Sequence, residues 1–513
     1  MQVTLINPPG LKVFAGLQMQ TPNPNLGLAY ISAAIREAGF DCTAIDGVGE
    51  ALDQITPYSG YGESIMIQGL SLQQIVDKIP ADSDVIGLSC MFSNLWPLTN
   101  DLANLVRERF PDATMILGGE HGTAVPEHTL QSSTVDIVVL GEGEETIVSL
   151  LQCLEQDGDL AEVKGIAFRR DGEVVNNGLS PRQRSIDEIA PPDWDSWPLE
   201  NYIDRGQING VNLGRSIPLI GTRGCPYACT FCSNPGMWTR RWIPRDPKHL
   251  VDEMQSYIER YQVRNFDFQD LTFVVNKRWT IEFCREIIDR NLDITFQMPS
   301  GTRAEAFDEE VVDHLYRAGC RVIAFAPESG DDEVRRAVKK QVDLDKLKAA
   351  VRASVARGLK VSCFFVIGFP QDTTESLKST LRLVRTMAML GAHDVSVAQF
   401  TPYPGSDIFR DLQKSGRIAL DDEFFISPLN FYTSDANSFS DHVDSKELYR
   451  AMITMFCTFY LLSFARRPLR TAIILFKALF TGVEETRFAK WFRDRLVIRR
   501  RWQNNLRSAD SSV

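Results

Sequence analysis

The sequence predicts an α/β protein in three parts: a doubly wound parallel-sheet domain, a partial (β/α)6 barrel and a helical C-terminal region. Three observations carry this. Short apolar runs alternate with helical stretches over roughly the first 160 residues, the alternation resumes at Ile217 and continues to about Phe400, and the last 70 or so residues are helical and amphipathic. At about 150 residues per domain, 513 residues also imply about three domains. A hydrophobic share of 44% with 24% charged residues is ordinary globular usage, which excludes a disordered or fibrous chain.

In residues 1–160 the expected strands are Val3 to Asn7, Cys42 to Ile45, Val85 to Cys90, Thr114 to Leu117 and Val135 to Leu140. Ligands of such a sheet sit beyond the carboxyl ends of its strands. The strings found there are Asn7-Pro8-Pro9-Gly10, Ser89 to Asn94, Gly118-Gly119-Glu120-His121-Gly122 and Gly141-Glu142-Gly143-Glu144, whose glycines let backbone approach a ligand closely. Between 161 and 214 the rhythm lapses. Asp171-Gly172 between two apolar runs predicts a hairpin and Pro191-Pro192-Asp193-Trp194 a loop, so this stretch is expected to link the domains.

Residues 215–425 are expected to form the barrel, on strands Ile217 to Gly221, Val263 to Phe268, Ile294 to Met298, Arg321 to Phe325, Val361 to Ile367 and Val395 to Phe400. A helix should start at Asp246-Pro247, with Leu250, Val251, Met254, Tyr257, Ile258 and Tyr261 on one face. Residues 426–513 form the helical tail. Its apolar run from Ala451 to Ala465, ended by Arg466-Arg467-Pro468, is shorter than the ~20 residues that span a bilayer.

The formal charge is −12, yet from Ser445 onward fourteen basic residues against five acids give +9, leaving −21 elsewhere. The acidic body disfavours nucleic acid as a partner, and the basic tail suggests an anionic surface. The N-terminus has no basic start followed by an apolar run, so a cytoplasmic location is the default expectation. Ten cysteines are too sparse for a disulfide framework. Cys42, Cys90, Cys153, Cys284, Cys320, Cys363 and Cys457 are scattered and expected to be small buried apolar residues. Cys225, Cys229 and Cys232 instead cluster just after the first barrel strand, behind Gly224.

Three thiolates in one loop can converge on a soft metal centre. A structural zinc would take a fourth Cys or His, and the nearest downstream candidate is His249. Three ligands suit a 4Fe-4S cluster that leaves one iron open. With Phe231 before the last cysteine, this string resembles the signature of the radical S-adenosylmethionine superfamily. The resemblance implies that the open iron chelates S-adenosylmethionine, which the cluster cleaves to a 5′-deoxyadenosyl radical. It implies binding of that molecule by Phe231, Asp270, Arg303, Glu328, Ser329, Gly368 and Phe369, found in the strings Phe268-Gln269-Asp270, Thr302-Arg303-Ala304, Pro327-Glu328-Ser329-Gly330 and Val366 to Pro370.

Asn7-Pro8-Pro9, Leu26-Gly27-Leu28-Ala29-Tyr30, Gly118-Gly119-Glu120-His121 and Gly141-Glu142-Gly143-Glu144-Glu145 are similar to strings of the Rossmann-like cobalamin-binding domain in one branch of that superfamily. That branch includes radical methyltransferases and the anaerobic magnesium-protoporphyrin monomethyl ester cyclase. The resemblance covers roughly residues 1 to 425. It implies cobalamin contacts from Pro9, Ser89, Met91, Ser93, Asn94, Gly118, Gly119, Gly141, Glu142 and Gly143. No Asp-x-His-x-x-Gly string occurs, so the lower cobalt face is expected to lack a histidine from that motif, with the Ser89 to Asn94 loop on that side; His121 belongs to a string that lies by the nucleotide tail in the family. His128, His249, His314, His393 and His442 are expected to be surface or satisfied core residues, and Arg240-Arg241-Trp242 either an exposed basic turn or an anion contact.

The three cofactors, a 4Fe-4S cluster, S-adenosylmethionine and cobalamin, imply methylation of an unactivated carbon of a small hydrophobic substrate, with a low-potential donor such as flavodoxin or ferredoxin. Radical oxidation or ring closure without methyl transfer is the alternative. A non-catalytic cofactor sensor is a third reading, disfavoured by the intact cysteine motif. The tail helices, with Tyr449, Met452, Met455, Phe456, Phe459, Tyr460, Leu462 and Phe464, should pack on the barrel. With Arg466, Arg467, Arg470 and Arg499-Arg500-Arg501 they also fit the inner face of a membrane.

Overall fold

A computed structural model describes residues 1–13, 21–58 and 65–493. Its N-terminal sheet runs, in spatial order, Asp41–Asp46, Gln2–Asn7, Val85–Ser89, Thr114–Gly118 and Ile137–Val139, all parallel. Each of the five expected strands is present. Val3, Leu5, Ile6, Val85 and Ile86 are buried, as befits a sheet covered on both faces. Between Gln2–Asn7 and Val85–Ser89 the strand order reverses, which opens a crevice at their carboxyl ends.

The sheet does not stop at residue 160. Ile166–Arg170 pairs antiparallel with Ile137–Val139, and Glu173–Asn176 with Ile166–Arg170, so the hairpin forms this sheet's edge. The rest of the expected linker is a packed strap: Trp197 Nε1 donates to Ser32 Oγ at 3.0 Å and Tyr202 donates to buried Asp46 at 2.8 Å. Burial of Trp194, Trp197, Leu199 and Ile203 explains why. Large apolar side chains gain more from a core than from a solvated tether. A further antiparallel sheet of Gly10–Val13, Ile65–Gln68 and Ile55–Pro57 has strands of three and four residues, too short for a period to show in the sequence.

The second sheet places Ser216–Leu219, Asn265–Phe268, Thr295–Thr302, Cys320–Glu328, Lys360–Ile367 and Asp394–Gln399 side by side in chain order, all parallel. This is the expected open barrel of six strands. The helix Pro247–Tyr261 starts where Asp246 accepts the N–H groups of Lys248 and His249, and it buries Leu250, Val251, Met254 and Tyr257. Along the fifth and sixth strands Cys363, Phe365, Ile367, Val395 and Val397 are buried in the core. The alternating Phe364, Val366, Ser396 and Ala398 are partly exposed on the other face, toward the barrel lumen.

The tail helix Ser445–Arg466 packs on the helix Thr374–Leu390 and on the last barrel strand, burying Leu448, Met452, Met455 and Phe459. It covers the open edge of the sheet. At 22 residues it outruns the apolar stretch and is, among the described residues, the one helix long and apolar enough to cross a membrane by length and composition. Arg467 and Arg470 do not point outward as expected. Arg467 donates to the carbonyls of Ala388 and Met389, and Arg470 to those of Gly391 and Ala392, because the end of Thr374–Leu390 offers unpaired acceptors. After Pro468–Phe480 the short helix Arg487–Arg493 turns back to the barrel, where Asp394 accepts the N–H groups of Arg487 and Phe488. Arg499-Arg500-Arg501 lies outside the described residues. Of the scattered cysteines, Cys42, Cys90, Cys284, Cys320 and Cys363 are buried; Cys153 is half-buried and Cys457, on the outer face of the tail helix, is exposed.

Candidate functional site

The cysteine loop leaves the first barrel strand through Thr222–Arg223, which pairs with Ile243–Pro244. Gly224 has φ +83°, and a Cβ there would stand 2.1 Å from the Arg241 carbonyl, so only glycine fits the entry. Asp270 lies behind this turn, accepting from Gly221 N and Thr222 Oγ1 at 3.1 and 2.6 Å. Its carboxylate, expected to touch S-adenosylmethionine, is thus occupied in shaping the loop, and burial pushes it up to about 7.

The three thiols are half-buried neighbours. Burial pushes Cys232 up to about 12 and raises Cys225 and Cys229, while Lys340 and Arg303 pull the latter two back. Metal binding must hold them as thiolates, and these two cations favour that charge. Among the described residues no three His, Cys, Asp or Glu groups are placed to hold one metal ion.

Around the thiols the expected S-adenosylmethionine residues divide by role. Phe231 packs on Phe369 at 5.3 Å and Phe369 on Phe400 at 5.0 Å, an aromatic stack that pins the loop to the barrel. Glu328 sits after a strand irregularity at φ +64°, a conformation that costs a non-glycine residue about 1–3 kcal/mol, and it is held by a buried ion pair to Lys340 at 3.0 Å. Burial alone would depress the Lys340 ammonium, but Glu328 and Cys229 hold it above its ordinary value. Ser329 is turned toward Thr380, with 3.2 Å between hydroxyls. Gly368, at φ +91°, leaves room for Leu448 of the tail helix. Arg303 lies 3.8 Å over the Tyr227 ring, and its buried Nε, like the buried Nε2 of Gln269, has no partner among the described residues. These two orphaned donors fit the carboxylate of an amino-acid ligand.

The carboxyl edge of the N-terminal sheet fits cobalamin equally. Gly118 opens onto free space. Gly119, at φ +111°, would place a Cβ 2.5 Å from the Cys90 carbonyl. Next to them, in the Ser89 to Asn94 loop, Met91 is exposed and Phe92 is 62% exposed. Asn94 and Ser89 are half-buried beside them, and Pro9 is buried against Gly47. Ser93 Oγ is engaged by His121 Nδ1 at 3.0 Å. The His121 ring stacks on Trp96, its Nε2 is unpartnered among the described residues, and burial, then His128, depresses it to about 3.

The Gly141-Glu142-Gly143-Glu144 string plays a second part. Glu142 pairs with Arg182 at 3.1 Å and with Arg223 at 3.5 Å, and Glu144 with Arg223 at 2.5 Å. Arg223 is buried over Tyr30. Burial would lift the Glu144 carboxyl, but Arg223 holds it below the ordinary value. The side chain expected to meet cobalamin therefore clamps one domain to the other. Across the same seam Ser233, next to Cys232, hydrogen-bonds Glu120, whose carboxyl burial pushes up to about 7. Arg240 and Arg241 are exposed, the basic-turn alternative.

Tyr403, on the loop after the last barrel strand, is 51% exposed, yet surrounding protein, then Tyr432, Glu120 and Cys232, pushes its phenol up to about 12. The contact of Ser233 with Glu120 brings the cysteine loop against the carboxyl edge of the N-terminal sheet. Lys340, Arg182, Arg223 and Tyr403 escape sequence reasoning, since each acts on a partner far along the chain and carries no local pattern.

The model of the B12 binding domain matches residues 14–151 and that of the Radical SAM superfamily residues 219–384. The chain is 28% identical over 416 residues to an uncharacterized methyltransferase of Pyrococcus horikoshii, covering 80% of this chain and 82% of that one. It is 28% identical over 363 residues to the anaerobic magnesium-protoporphyrin IX monomethyl ester cyclase of Rubrivivax gelatinosus, covering 69% and 63%. In fold it resembles the radical S-adenosylmethionine methyltransferase TsrM of Kitasatospora setae, with a TM-score of 0.64 and 17% identity over 90% of this chain and 89% of that one.

Proposed function

Since this chain belongs to the cobalamin-binding branch of the radical S-adenosylmethionine superfamily, we propose that it methylates an unactivated carbon of a small hydrophobic substrate held between its two sheets. When bound, the iron–sulfur cluster and S-adenosylmethionine supply a hydrogen-abstracting radical and cobalamin a transferable methyl group. One observation carries the reading: Glu120 at the carboxyl edge of the N-terminal sheet touches Ser233 beside Cys232, which supports a shared cleft for the two cofactors.

The chain's own residues supply placement. Cys225, Cys229 and Cys232 hold the cluster, and Lys340 and Arg303 offset its negative charge. The free donors of Arg303 and Gln269 orient the carboxylate of S-adenosylmethionine. The arginine clamp on Glu142 and Glu144 fixes the distance between the cofactors. The lumen-facing Phe364, Val366 and Ala398 offer an apolar wall that excludes water from a reactive intermediate.

Access from a membrane surface supports the hydrophobic substrate. On the helix Pro468–Phe480, Leu469, Ile473, Phe476 and Phe480 are exposed, Phe480 at 73%, as is Arg466 just before it, within a stretch of the sequence that carries a formal charge of +9 from Ser445 onward. An apolar face with basic neighbours fits anionic lipid.

The test is anaerobic. Protein reconstituted with iron, sulfide and cobalamin receives S-adenosylmethionine, a reductant and an apolar extract of the source cells, and 5′-deoxyadenosine and S-adenosylhomocysteine are quantified together. Equal rises of both above the no-extract control are expected. Deoxyadenosine rising alone would overturn methyl transfer in favour of the oxidation or ring closure that the cyclase relative performs.

A further inference from the structure

The short helix Arg487–Arg493 lies beyond the span of the radical domain's family model, yet it delivers a cation into the barrel. The Arg487 guanidinium stands 4.8 Å over the ring of Phe364, a lumen-facing residue of the fifth strand, and donates from Nη2 to the carbonyl of Pro299 on the third strand at 2.9 Å. A guanidinium has five N–H donors, and this is the one bond its side chain makes among the described residues. No carboxylate lies within ion-pair distance of it there. Two acids neighbour it: Asp394, whose oxygens are engaged by the backbone N–H groups of Arg487 and Phe488, and buried Asp267, which accepts from Gly210 N at 3.3 Å.

Tyr432 stands close by, its hydroxyl 2.6 Å from Ser396 on the lumen face of the sixth strand, and it also neighbours Tyr403 beneath the cysteine loop. The tyrosines and Arg487 thus mark one wall running from the thiols to the barrel floor. Opposite Phe364, a Cβ on Gly301 would collide with Ala326 and Phe364, so the lumen narrows to small and apolar groups here. A half-buried guanidinium that stacks on an aromatic ring, with Nε and Nη1 making no hydrogen bond among the described residues, can take an oxyanion in bidentate fashion. By contrast Lys490, one turn further on, has the carbonyls of Ile208 and Gly210 to donate to and seals the floor.

We infer that Arg487 anchors an anionic group, the oxygens of a carboxylate or phosphate, on the otherwise apolar substrate. The inference rests on the proposed function and narrows it: the substrate is an amphiphilic acid whose reacting carbon reaches up toward the cofactors while its charged end lies at the floor. A purely structural Arg487 would fasten the tail helix to the barrel without touching substrate.

The experiment divides the apolar extract on an anion exchanger into neutral and acidic fractions and supplies each to the reconstituted holoenzyme. Substrate-dependent 5′-deoxyadenosine is expected from the acidic fraction alone and should vanish after esterification of that fraction with diazomethane. Phosphatase treatment beforehand separates the sources: loss of activity assigns a phosphate, retention a carboxylate. With the active fraction, Arg487→Met should raise the KM about tenfold or more, as loss of a charged hydrogen bond does. Arg487→Lys should fall between, and both should leave kcat and the melting temperature near wild type. Turnover confined to the neutral fraction, or an unchanged KM in Arg487→Met, overturns the anchor while the proposed function stands. Turnover in neither fraction overturns the proposed function itself.

Discussion

Lys340 and Glu328 show how much one pair can carry. Both are buried within reach of the cysteine loop, so removing one partner strands the other charge. Lys340→Met should cost about 3–5 kcal/mol in chemical denaturation and lower the iron–sulfur absorption on reconstitution. The double variant Lys340→Met with Glu328→Gln should recover stability but not cluster loading, because the cation near Cys229 is still gone. His121 gives a pH dependence. Its folded value is depressed to about 3 from 6.5, so the unfolded chain binds the extra proton between those values. The stability this contributes is present above 6.5 and is lost as pH falls toward 3. His121→Leu should therefore show a shallower decline of melting temperature between pH 6.5 and 5 than wild type. An equal slope would show that the ring titrates freely. Glu328 could be named as a candidate from the sequence because its Pro327-Glu328-Ser329-Gly330 string resembles one of the family, whereas nothing at the position of Lys340 marks the pairing.

At the scale of elements, the strand ends carry the chemistry and their glycines set how closely things pack. Gly119→Ala adds a Cβ against the Cys90 carbonyl at positive φ, so the loop must shift. The expected outcome is a loss of about 1–3 kcal/mol and failure to retain cobalamin after desalting, read by visible absorption. Retention at wild-type stoichiometry would show that this turn lies away from the corrin. All eleven expected strands of the two sheets are present within two or three residues at most ends, because short apolar runs bounded by turn residues and separated by helical stretches are a local signal. The stretch 161–214 was misread as a linker for a related reason. Its tryptophans and Tyr202 pack individually on Ser32 and Asp46 rather than as a periodic face, so no period announces their burial.

The whole molecule poses a question of placement. An acidic body ends in a basic segment beside an exposed apolar helix face, and the two attractions should act together on anionic vesicles. Intact protein should co-sediment with phosphatidylglycerol vesicles at low salt and much less with phosphatidylcholine vesicles. Phe476→Glu with Phe480→Glu should abolish this and leave S-adenosylmethionine cleavage intact. Undiminished sedimentation of that variant would assign binding to the basic segment alone. The two exposed phenylalanines, 4.7 Å apart, make few contacts that their loss could disturb in the fold.

By itself the sequence determined the two parallel sheets, their order and the cysteine loop with its cofactors, because strand periodicity and a ligand motif are local properties of the chain. Only the tertiary structure decided that Glu142 and Glu144 clamp the domains through Arg182 and Arg223, that Asp270 accepts from Gly221 and Thr222 behind the cysteine loop, and that Arg487 enters the barrel. Each of these depends on which side chain a polar or charged group meets across tens to hundreds of residues. Desolvation makes such groups find partners, and the fold alone sets which partners are in reach.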